Sequence, residues 1–172
     1  NEIANTQPID TSGIFAGLER SASSMSAANN TLEETIALVT AANSVVQDPA
    51  SVGTAFKTIS MRIRGAETEL EQAGLETDGM AESTAKLRQE IMALSGIDIM
   101  IDNDTFKSTY DILDELSNKR KDLTDIQQAS ITELIAGKRQ GNIVFALMTN
   151  FDIARESLDT ALKIGRASCR ER

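Results

Sequence analysis

The chain has 172 residues, a formal net charge of −9, only 3% aromatic residues, and neither His nor Trp. That length can bury a core without disulfides or metal, and a composition rich in Ala, Leu, Ile, Glu, Ser and Thr favours helices packed through small and aliphatic side chains, so an all-α fold is expected. The acidic balance argues against a reader of duplex DNA, and the longest apolar run, IVFALM at 143–148, is far short of the roughly 20 residues that span a bilayer.

The sequence opens at NEIANTQPID with no initiator Met and no signal-peptide pattern, so a start inside a longer protein is expected. Asp10, Thr11 and Ser12 offer N-caps to a first helix carrying Ile14, Leu18, Ala22 and Met25, and Asn29-Asn30 can turn the chain through the left-handed region. Thr31 with Glu34 forms a capping box for a second helix that places Leu32, Ile36, Val39 and Val46 on one face. The small residues of the first helix predict that the two close into a tight αα-hairpin.

The strongest pattern lies in NSVVQDPASVGTAFKTISMRIRGAETELEQAG. Asp48 can cap a third helix, and Pro49 suits its first position, where a missing N–H goes unnoticed. Val52, Phe56, Ile59, Ile63, Ala66, Leu70 and Ala73 then recur at alternating steps of four and three, a heptad stripe that crosses Gly65 in phase. A glycine inside a helix costs about 1 kcal/mol relative to alanine. The unbroken stripe therefore predicts one long helix over 49–73, with at most a mild kink at Gly65 and its end at Gly74. The packing set is Pro49, Val52, Phe56, Ile59, Ile63, Gly65, Leu70 and Gly74. Such a seam serves its own domain or another chain, and the spacing leaves both open.

LETDGM reads as a polar connector, after which Met80, Thr84, Leu87, Ile91 and Leu94 resume helical spacing up to Ser95-Gly96. IDIMID, residues 97–102, alternates apolar and polar residues and predicts at most one short extended segment without a clear partner strand. Asp104 is placed to cap a helix carrying Phe106, Tyr110, Leu113 and Leu116, and Thr124 with Gln127 boxes the next, which stops at Gly137. Residues 142–149 are apolar on nearly every side and predict the most buried helix, and Asp152 is placed to cap the last one.

KIGRASCRER, residues 163–172, changes character abruptly: it is basic, unpatterned and carries the only cysteine. In frame, these residues resemble the translation of a common sequencing-library adapter. Adapter read-through is the expectation, with a natural basic tail as the alternative, so Cys169 is not read as a thiol site. No other cysteine is present, which suits a reducing compartment.

Without His or a credible Cys, the usual bases, nucleophiles and transition-metal ligands of catalysis are missing, so neither an enzyme nor a cofactor is expected. Asp102 and Asp104 resemble the start of a calcium loop, but Phe106, Lys107 and Leu113 occupy the next ligand, glycine and closing-glutamate positions; helix capping is the preferred reading. GKRQGN at 137–142 lacks the spaced glycine and the Ser or Thr of a phosphate loop, which leaves Lys138 and Arg139 as candidate interaction residues at a helix end. Lys119, Arg120 and Lys121 read as a solvated helix end in preference to an anion site.

In order along the chain, VVQDPASVGTAFKTISMRIRGAETELEQAGLETDGMAESTAKLRQEI, GIDIM, DNDTFKSTYDIL, LTDI and ELIAGKRQGNIV resemble the core region of phage tail tape-measure proteins, over roughly residues 8–161. NKRKDLTDI at 118–126 departs from the family, which shows an aromatic-containing, less basic stretch there. The family supplies no catalytic residues to this region. The resemblance implies a virion assembly protein of a long-tailed phage (siphovirus) or prophage. Such a protein is made in the host cytoplasm, lies in the tail lumen, templates polymerisation of the tail tube and sets its length. Its partners would be tail-tube and tail-assembly proteins and, through coiled-coil or other helical packing, further copies of itself; no sequence-specific nucleic acid is implied. A ruler needs length proportional to residue count, whereas caps and glycines interrupt these helices and predict a multi-helix bundle suited to docking or initiation. The competing class is a cytosolic helical adaptor or coiled-coil interaction protein.

Overall fold

The structure, a computed structural model, describes residues 11–170; Asp10 and the side chain of Cys169 lie outside what it describes. The described residues form nine α-helices: α1 (Thr11–Ala27), α2 (Leu32–Val46), α3 (Pro49–Ile63), α4 (Glu67–Gln72), α5 (Thr84–Ser95), α6 (Thr109–Lys119), α7 (Asp125–Ala136), α8 (Gly141–Thr149) and α9 (Phe151–Arg170). A 3₁₀ turn, Arg120–Asp122, follows α6. The all-α multi-helix bundle expected from composition is the observed architecture, and none of the described helices is long and apolar enough to cross a membrane.

α2 is the central element. Ala37, Leu38, Val39, Thr40, Ala41, Ala42 and Asn43 are consecutive and all buried, because α1, α3, α6, α8 and α9 each pack against this helix. Its alanines and threonines let neighbours approach from every side. The expectation that 142–149 would be the most buried helix is thereby corrected: α8 buries Ile143, Val144, Leu147 and Met148, but Asn142 is exposed and Phe145 is 53% exposed. Apolar composition alone does not bring a helix to cover that outer face.

The predicted αα-hairpin of α1 and α2 is present. Asn29 takes φ 63°, its N–H donates to Ser26 O at 3.1 Å, and the Asn30 N–H donates to Met25 O at 3.0 Å. The buried Asn30 amide then joins this corner to the start of α6, donating to Thr109 Oγ1 at 3.0 Å and accepting from the Tyr110 N–H at 2.9 Å. Capping boxes at Thr31/Glu34 and Thr124/Gln127 form as the sequence predicts.

The continuous helix expected over 49–73 does not form. α3 ends at Ile63, Gly65 takes φ 69°, and the Gly65 and Ala66 N–H groups close back onto Arg62 O at 3.1 Å and Met61 O at 2.9 Å. This is a left-handed helix stop, a role in which glycine has no Cβ penalty. Gly74 ends α4 in the same way, at φ 67°. Val52, Phe56, Ile59 and Leu70 are fully buried and Ile63 nearly so, while Pro49 is half-buried, Gly65 and Gly74 are exposed at their turns, and Ala73 is exposed. The stripe therefore identified Val52, Phe56, Ile59, Ile63 and Leu70 correctly as core, but not Ala66, which is partly buried, or Ala73, and it predicted helix continuity wrongly. A turn that returns the chain to the same core leaves the spacing of apolar residues unchanged.

Three predicted helix starts also differ. α5 starts at Thr84 under Ser83, so Met80 precedes it, and α6 starts under Ser108 in place of Asp104. The intervening chain folds back on itself: Met100 bridges antiparallel to Phe106, the Ile101 N–H donates to Thr105 O, and the Lys107 N–H donates to Ile99 O. Phe106 is thus the partner that IDIMID lacked in sequence. Asp102 accepts the Asp104 N–H at 2.8 Å, which makes these two acids a turn at the tip. Asp152 sits within the first turn of α9, not before it.

Candidate interaction surface

One buried side chain, which no sequence motif marks out, ties the end of α7 to the connector between α4 and α5. Arg62 is 1% exposed, and its guanidinium donates to four backbone carbonyls: Leu134 O from Nε (3.3 Å), Glu76 O from Nη1 (3.0 Å), and Asp78 O (3.1 Å) and Glu133 O (3.0 Å) from Nη2. It forms no ion pair among the described residues. Burial lowers its pKa, and the nearby Glu76, Glu133 and Asp78 carboxylates push the other way. An arginine stays charged under such conditions, and carbonyls near the C-terminus of α7 are a favourable place for that charge. The clasp ties the connector between α4 and α5 to the end of α7. The nearest sequence signal is that Arg62 stands among buried Met61 and Ile63, one turn before a helix-stopping glycine.

Sharing Glu133 with this clasp, a groove of about 580 Å³ between α7 and α8 is lined by Gln128, Ala129, Thr132, Lys138, Gly141 and Phe145, among others. The α7 capping box and the turn at Gly137 (φ 73°) set its two ends. The helices run close together at Gly141, where an added Cβ would meet Thr132 Cγ2 at 3.2 Å. Phe145 is half exposed, and Ile126, on the first turn of α7, is 80% exposed. A second concavity of about 510 Å³ lies between α5 and α7 over Gly79, Ala93, Leu94 and Leu134.

Of the two interaction residues proposed from sequence, Lys138 lines the α7–α8 groove, with Nζ 3.7 Å from Glu133 Oε1 in an exposed pair. Arg139 is not among the lining residues; it is exposed, and its backbone N–H is held at 2.9 Å by the Glu76 carboxylate. The structure therefore separates the pair, one on the groove and one on the loop beside it. The packing residues Val52, Phe56, Ile59 and Ile63 belong to the hydrophobic core and line neither concavity.

Elsewhere, Arg88 holds Asp98 with two bonds, Nε to Oδ1 at 2.7 Å and Nη2 to Oδ2 at 2.6 Å, pinning the 97–107 turn to α5. The hydrogen bond from Arg88 is the chief reason that the Asp98 carboxyl lies below the usual range, and the Met100 N–H adds to it. Glu34 shifts upward, mainly because burial disfavours its charge. Among the described residues no group of three His, Cys, Asp or Glu is placed to hold a metal ion. No protein-family model and no solved structure matches the chain.

Proposed function

We propose that this chain is part of a phage tail tape-measure protein and acts there as a folded docking or initiation module. The ordered succession of motifs from VVQDPASVGTAF to ELIAGKRQGNIV supports the family, and the way the chain reverses on itself supports the role. The observation that carries the second point is the pair of left-handed stops at Gly65 and Gly74: what the heptad spacing offers as one rod is broken into α3 and α4. Continuous helix converts residue number into length at 1.5 Å per residue, whereas a bundle whose helices return to a common core does not. The α7–α8 groove, with its exposed Phe145, is the surface offered to tail-tube or tail-assembly proteins. In this reading the protein works in the tail lumen, after assembly in the host cytoplasm.

The test is a deletion of residues 10–160 within the intact tape measure of a phage that carries this region. As plain measuring helix, about 150 residues correspond to about 225 Å of tail. A docking or initiation module instead predicts no tails, or tails of irregular length, in electron micrographs. Uniform infectious virions, shorter by that proportional amount, would restore the region as measuring tape. A complete source locus without tail-tube, tail-chaperone or portal genes would favour the cytosolic adaptor instead.

A further inference from the structure

A polar cleft of about 350 Å³ lies where the end of α6 and its 3₁₀ turn meet the junction of α8 with α9. Arg120, Lys121 and Arg155 line it with Ser117, Asn118 and Asp152. Three cations on one cleft are unexpected in a chain of net charge −9. Arg155 is already engaged: Nε donates to Asp114 Oδ1 at 2.7 Å, and Nη2 donates to Ser117 Oγ at 3.0 Å and Asn118 Oδ1 at 2.8 Å. The other two are not. Neither Arg120 nor Lys121 forms an ion pair among the described residues, and Arg120 Nε is buried with no hydrogen-bond partner.

Lys119 and Lys121 are exposed, as expected of a solvated helix end, whereas Arg120 is half-buried. The Arg120 guanidinium stacks 4.9 Å from the centroid of the Phe145 ring, which orients its planar donors. Arg155 lies similarly over Phe151, at 5.2 Å. Phe151 and Asp152, at the positive end of the 20-residue α9, also line the cleft. With Asp114 set against Arg155, the charges left on the lining are Arg120 and Lys121 against the exposed Asp152.

We propose that this cleft binds a phosphate-type oxyanion, with Arg120 and Lys121 as its charged donors and the first amides of α9 completing the shell. A tetrahedral anion has oxygens enough to accept from all three directions at once, whereas a carboxylate has two. Asp152 opposes the ligand and weakens the site. The proposal stands independently of the tape-measure reading, since it uses only the charges and geometry of this cleft.

Titrating inorganic phosphate into the isotope-labelled full chain, at fixed ionic strength, tests it by NMR. Saturable shifts are expected at the Phe151 and Asp152 amides and at the Arg120 Nε–H, with acetate producing no saturable response. Arg120→Gln should weaken binding about tenfold, in line with the loss of a charge-assisted hydrogen bond. Lys121→Gln should weaken it less, and Asp152→Asn should strengthen it, a gain that misfolding cannot imitate. O-phosphoserine in place of phosphate tells a phosphomonoester from the free ion: tighter binding identifies the ester, equal or weaker binding the free ion. Absence of saturable shifts in the cleft, an equal response to acetate, or binding unchanged by Lys121→Gln and Asp152→Asn would overturn the assignment.

Discussion

A Cβ built on Gly53 of α3 would stand 2.6 Å from the carbonyl oxygen of Gly17 in α1 and 3.1 Å from its Cα, so the two helices cross with backbone against backbone. Gly53→Ala gains about 1 kcal/mol of helix propensity and meets an atom that cannot rotate away. The clash should win. The variant should lose about 2 kcal/mol in urea unfolding, the upper end of ordinary overpacking penalties less the gain in propensity. Unchanged or increased stability would mean that the helices are further apart than described.

Gly65 tests the break between α3 and α4 by the sign of its effect. In a continuous helix Gly65→Ala would stabilise by about 1 kcal/mol. At φ 69°, with Thr84 Oγ1 3.0 Å from the position of an added Cβ, it should instead destabilise by about 1–2 kcal/mol. Gly65→Asn should do less harm, because asparagine tolerates the left-handed region. A stabilising alanine would restore the single long helix.

Arg62→Met would take the guanidinium from four backbone carbonyls, of which Glu133 O keeps the Gly137 N–H, a loss of about 1–3 kcal/mol for each carbonyl left unsatisfied. Arg62→Lys should rescue little, since an ammonium cannot reproduce the planar fork. Limited proteolysis should show new cleavage in the connector at 73–83, which the clasp holds. A lysine variant as stable as the parent would show that charge alone, without geometry, secures the connector.

The Arg88–Asp98 pair should be visible in acid. Because the folded pKa of Asp98 is lowered, its stabilisation is present above the unfolded carboxylate value of about 4 and is lost as pH falls through the folded value. Glu34 acts in the opposite sense: its raised pKa means that the strain of its buried charge is relieved as pH falls. Asp98→Asn should therefore flatten the decline of melting temperature below about pH 4. A decline as steep as that of the parent chain would remove Asp98 from the account.

Shortening the chain to end at Leu162 removes the half-buried contact of Ile164, an exposed pair between Lys163 and Asp159, and Gly165 beside Glu33. The exposed pair is worth little. The melting temperature should fall by no more than about 2–4 °C, equivalent to about 1 kcal/mol in a chain of this size. A larger fall would make residues 163–170 an integral part of α9 and count against adapter read-through.

What the sequence determined by itself was local. The boxes at Thr31/Glu34 and Thr124/Gln127 and the stops at Asn29, Gly74, Gly96 and Gly137 each depend on bonds between residues a few positions apart, so the amino acids present are enough to specify them. The apolar period likewise marked Val52, Phe56, Ile59 and Ile63 as core. Tertiary structure decided the rest, because the deciding partner lay far along the chain. Gly53 needs the backbone of Gly17, and Arg62 needs carbonyls up to 72 positions away. Asn30 finds its acceptor and donor at Thr109 and Tyr110, and α2 becomes the centre only when five other helices surround it. The candidate site divides in the same way. Lys138 was legible as a cation beside a helix end, but Arg120 changed from a solvated residue to an unpaired donor only when α8 brought Phe145 beneath its guanidinium.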